Sequence, residues 1–179
     1  MKSFFKKEKV LIVNNLWSFA IHVVVAVLSV MGMIIAGVIF GSFTAGGIGA
    51  LVPVVGYVIL GYFLLTPRAK GNFLSVVGLA VLMVMIFGYL HFVSMLVSDD
   101  GSAMLMAFNF PAMHLTVAMF IALASVTDLL GIALSDDTVS TMTLLTSAFI
   151  PSLLIYLGLR LKMWREAKIA ATDLEPSDE

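Results

Sequence analysis

Apolar residues run almost unbroken along this chain, and polar ones gather in a few short breaks. The breaks leave apolar blocks from Val10 to Phe40, Ala50 to Leu65, Phe73 to Val97, Met104 to Leu134 and Thr141 to Leu161. Continuous runs of this length predict helices. Strands of an outer-membrane barrel would alternate apolar with polar positions, and a helix satisfies its own backbone where water is scarce. The breaks carry turn chemistry, most clearly Thr66-Pro67-Arg68-Ala69-Lys70-Gly71-Asn72, with Ser98 to Ser102 and Ser135 to Thr138 as shorter acidic ones. Gly41 to Gly49 reads as a flexible, nearly uncharged connection. The expected fold class is an all-α polytopic membrane protein, a bundle of about five hydrophobic helical segments.

Three regions follow from the same pattern: a basic N-terminus over residues 1–9, a transmembrane helical domain over 10–161, and a charged, disordered C-terminal tail over 162–179. Asn14, Asn15 and Trp17 read as an interfacial helix end, with Phe4, Phe5 and Leu11 supporting a short lead-in along the surface. Met1 to Lys9 resembles the charged region of a signal peptide. The apolar run behind it is too long for one and shows no convincing processing site, so the first helix reads as retained.

Composition agrees with this reading: 61% of residues are hydrophobic and 12% charged, against roughly 45–50% and 25% in soluble domains. Mean hydropathy is +1.10. Every basic residue falls before Val10, at Arg68 and Lys70, or between Arg160 and Lys168. The positive-inside rule puts all three clusters on the cytoplasmic face of an inner or plasma membrane, with both termini cytoplasmic. Five plain crossings would leave the C-terminus outside. The fourth block is therefore expected to be broken or re-entrant, with five ordinary spans or six as alternatives.

Asp128 is a charged side chain deep within an apolar block, which makes it a candidate site for a cation or proton, or else a wet helix end. Asn109, His114, His91 and Ser125 are the further intramembrane polar candidates. Pro111 and Pro151 are expected helix breaks. Gly32 with Ala36, Gly37 with Gly41, and Ala118 with Ala122 have the four-residue spacing of helix-packing faces. Cysteine is absent, and the three histidines match no compact ligand pattern. No metal, haem or other cofactor is expected. No phosphate loop, HExxH or GxSxG occurs, and no basic aromatic patch offers itself to nucleic acid.

The expected function is therefore that of a non-catalytic integral membrane subunit or accessory protein. Its partners would be the lipid bilayer and another integral membrane protein or a second copy of itself. The alternative is a compact transporter of small solutes or ions built on Asp128 and broken helices. A membrane enzyme or haem protein ranks third.

Overall fold

The computed structural model describes residues 2–68, 71–94 and 136–172. They form four helices: α1 Lys2–Phe40, α2 Ser42–Leu64, α3 Leu74–Ser94 and α4 Asp136–Thr172. The chain turns from α1 into α2 at one residue. Gly41 adopts φ +90°, a conformation that a Cβ disfavours, and its N–H closes the end of α1 on the carbonyl of Gly37 at 3.2 Å. The glycines that follow it are helical, so the flexible connection expected over Gly41 to Gly49 is a one-residue reversal.

The helices form a ring. α1 packs against α2 and α3, α4 packs against the same two, α1 and α4 meet only slightly, and α2 and α3 do not pack together. Facing residues give the directions. Gly56 lies against Val25 and Gly32 against Ile48, so α1 and α2 are antiparallel. Gly61 lies against Ile155, and Leu65 against Lys162, so α2 and α4 run the same way. Ile21 and Val25 of α1, Tyr57 of α2, Val76, Leu79 and Met83 of α3, and Ala148, Ile155 and Leu159 of α4 fill the centre, with Leu65 beneath the loop after α2.

Two glycines set the closest contact. A Cβ on Gly61 would overlap the carbonyl oxygen of Ile155, and one on Gly158 would overlap that of Val58 and approach the Tyr62 nitrogen to 2.7 Å. Both obstacles are backbone, which cannot swing aside as a side chain can. α2 and α4 therefore cross at a distance that only glycine permits.

This architecture corrects the expected polytopic fold. Among the described residues, one helix is long and apolar enough to cross a membrane, α1 over Glu8–Phe40. The apolar stretches Leu51–Leu64 and Leu74–Ile86 are shorter. The result is a small four-helix bundle rather than a multi-pass fold of five segments. The assignment to a cytoplasmic or plasma membrane with both termini inside applied the positive-inside rule to a multi-pass bundle, and it falls with that fold. The same holds for the bilayer, the integral membrane partner and the homo-oligomer inferred from multi-pass embedding. The fourth apolar block lies outside the described residues, as does the question of its being re-entrant.

Candidate functional site

Apolar residues occur all round α1, so the buried face is not the apolar one. Its polar residues mark it: Asn14, Ser18, His22 and Ser29 are each at most 4% exposed. Their spacing of four, four and seven keeps them on one stripe of a helix that repeats every 3.6 residues. Val25, Met33 and Ala36 continue the stripe.

At one end this seam ties three helices together. Asn14 treats the chain after α2 as a missing strand: its Nδ2 donates to the carbonyl of Thr66 at 2.9 Å, and its Oδ1 accepts from the Thr66 N–H at 3.1 Å. Nδ2 also lies 3.2 Å from Ser75 Oγ on α3. Asn15 does the corresponding work on the other side, donating to the carbonyl of Leu74 at 3.0 Å and accepting from the N–H of Gly78 at 2.9 Å. Thr66 lies just beyond α2, outside its hydrogen-bond ladder, whereas Leu74 and Gly78 are an i, i+4 pair in the first turn of α3 that Asn15 bridges. Ser18 Oγ donates to the carbonyl of Asn14 at 2.9 Å. The loop itself is closed by Asn72, which accepts from the Arg68 N–H and donates to the Arg68 carbonyl, both at 2.7 Å.

Two cations of α4 reach the same end. Lys162 Nζ donates to the carbonyl of Leu65 at 2.9 Å, placing positive charge at the negative end of α2. Arg165 Nη1 donates to the Tyr62 hydroxyl at 2.6 Å, and this hydrogen bond raises the guanidinium pKa above its ordinary value. Residues of α1, the loop around Arg68 and the cations of α4 thus meet at one end of the bundle. The membrane face assigned to them has no such support.

Deeper in the seam, the Tyr57 hydroxyl and His22 Nδ1 lie 2.8 Å apart with their rings within 9° of parallel. Burial pushes the Tyr57 phenol well above its ordinary pKa, so the hydroxyl keeps its proton. When that proton is donated to Nδ1, the imidazole carries its own on Nε2. His22 is 4% exposed and Tyr57 fully buried, so the pair is closed to solute.

The outward faces carry the opposite chemistry. Leu16, Val27, Leu28, Ile34 and Val38 of α1, Leu51 and Phe63 of α2, Met85 of α3 and Leu153 of α4 are all exposed. The polar residues of α1 are turned inward onto an apolar core, and large apolar side chains stand on the outside as well.

Of the residues singled out from sequence, Asp128, Asn109, His114, Ser125, Pro111, Ala118 and Ala122 lie outside the described residues. The site expected for a transporter role therefore lies outside the described residues, and the membrane-subunit role lacks the multi-pass bundle it assumed. His91 falls within α3, which runs to Ser94. Helix α4 continues through Pro151. Gly32 faces Ile48 at 3.3 Å, Ala36 is buried, and Gly41 makes the turn. Sequence reading missed Gly61, Gly158, Tyr57 and the true place of Asn14. The spacing of Asn14, Ser18 and His22 was the signal available for the last of these. Among the described residues no three of His, Cys, Asp and Glu come together as a metal site. No family model, curated protein or solved structure matches the chain.

Proposed function

We propose that this chain is an association module, acting through its outer surface on another polypeptide rather than through an interior reaction site. The observation that carries this reading is the apolar outer face of α1, whose polar residues are turned inward. Asn14, Ser18 and His22 are buried and bonded within it, while Leu16, Phe19, Val27, Leu28 and Ile34 of the same helix stand exposed. Exposed apolar surface on this scale marks a place where something else binds. The internal polar bonds hold the helices in register, which keeps that surface in one shape.

A photo-reactive residue placed singly at positions 25 and 27 of the full chain tests this. Val25 is 1% exposed and Val27 is 49% exposed. Cross-links to a polypeptide are expected from position 27 and not from position 25. A chain that stays monomeric and monodisperse in plain aqueous buffer, with position 27 free of adducts in cells, would overturn the proposal.

A further inference from the structure

Between the last turn of α2 and the cationic stretch of α4 lies an open cleft of about 270 Å³, lined by Tyr62, Phe63, Lys162, Arg165, Glu166 and Ile169. That volume is near the lower end of ligand clefts, which run from about 300 to 1,000 Å³, so its occupant is small. Its walls divide into two chemistries. Tyr62 and Phe63 meet edge to face with ring centroids 5.0 Å apart, which fixes an aromatic wall that Ile169 extends. Facing it are two cations and one carboxylate, leaving a single net positive charge.

Arg165 is the prepared group. One of its nitrogens is committed to the Tyr62 hydroxyl, which orients the guanidinium plane, and the remaining N–H donors of the fork stay available. Such a fork matches the two oxygens of a carboxylate. Lys162 stands beside it, anchored by one N–H to the carbonyl of Leu65.

We propose that this cleft binds a monocarboxylate carried on a short apolar stem. The carboxylate accepts two hydrogen bonds from Arg165 with Lys162 alongside, and the stem lies along Tyr62, Phe63 and Ile169. A phosphate dianion exceeds the single net charge and meets Glu166 with stronger repulsion. An uncharged alcohol satisfies the wall and leaves the cations without a partner. The site is complete within one chain, so it stands or falls independently of the association surface.

Octanoate labelled at its carboxyl carbon is the probe, titrated into the full chain and followed by NMR. Octanol, acetate and inorganic phosphate each lack or alter one half of its chemistry. Saturable one-to-one binding of octanoate is expected, with the other three much weaker. Arg165→Gln should weaken octanoate about tenfold without loss of helix content, the worth of one charge-assisted contact. Arg165→Lys should give an intermediate loss, because it keeps the charge without the fork. Lys168 contacts the Trp164 ring and does not line the cleft, so Lys168→Gln should stay within about twofold of the parent. Octanol binding as tightly as octanoate, phosphate outcompeting it, or Lys168→Gln matching Arg165→Gln would each overturn the assignment.

Discussion

The last turn of α2 and the chain just beyond it are held by different physics, and the contrast explains how an almost uniformly apolar sequence reaches one arrangement. In the last turn of α2, at Gly61 and at Gly158 of α4, the two helices meet backbone to backbone, with no side chain between them. A few residues further on, at Leu65 and Thr66, the chain is held by directional bonds from Lys162 and Asn14, on helices that barely touch one another. Glycine contact is a matter of distance alone and tolerates sliding or rotation. Hydrogen bonds to named backbone groups do not, so Asn14 and Lys162 fix the register that the glycines leave open. The loop from α2 to α3 spans one diagonal of the ring, and it is pinned from both members of the other diagonal.

The largest effect should come from filling the glycine contact. Gly158→Leu forces a side chain into the backbone of Val58 and Tyr62, and a loss of about 3 kcal/mol or more is expected in thermal or denaturant unfolding followed by helical circular dichroism. Gly47→Ala is the matching control, because a Cβ there meets nothing within 4 Å. It should raise stability by about 0.5 kcal/mol through helix propensity. Equal losses at the two positions would mean that α2 and α4 do not approach through glycine.

Asn14 separates the directional term from packing. Asn14→Leu strands the Thr66 N–H and C=O and should cost about 2 kcal/mol, the price of buried groups without partners. Asn14→Asp retains the acceptor for the Thr66 N–H but sets a buried carboxylate against the Thr66 carbonyl, so a loss at least as large is expected from that variant. Amide exchange at Thr66 reads the difference directly: fast in the leucine variant, still protected in the aspartate one.

The smallest loss at neutral pH belongs to Tyr57, and its sharper test is alkaline. Its folded pKa lies above the unfolded value of 10.0, so the folded state holds a proton that the unfolded state releases. Stability is complete below that value and falls as pH rises beyond it, by up to about 1.4 kcal/mol per pH unit. Tyr57→Phe should cost about 1 kcal/mol at pH 7 by removing the bond to His22. It should also remove that part of the alkaline fall. An unchanged alkaline limb in the phenylalanine variant would place the responsible phenol elsewhere.

Helix content was legible because it depends on local terms. The apolar runs and the Thr66 to Asn72 turn mark where α1 and α2 end and α3 begins, but they put the starts of α1 and α2 at Val10 and Ala50 rather than Lys2 and Ser42; the basic clusters were visible as clusters. The buried face was misjudged for a physical reason. Sequence reading takes an apolar stripe as the inside, but α1 is apolar on every side, so only its few polar residues distinguish the faces. Asn14 and Asn15 resemble an interfacial helix end when their partners, some fifty to sixty residues away, are unknown. The Gly61 and Gly158 contact was missed because each has few small neighbours at the spacing used to recognise such faces.

The sequence by itself determined that the described segments are helical, that a turn falls over Thr66 to Asn72, and that the cations gather in three clusters, since backbone propensity and local composition act over a few residues. The tertiary structure decided that these helices close into a four-membered ring, that the polar stripe of α1 faces inward, and that one arginine and one lysine of α4 join Tyr62 and Phe63 in a single cleft. Each of those depends on pairing groups far apart in the chain. In a sequence whose apolar residues could pack against one another in many registers, only the few directional bonds and the two glycine contacts select among them.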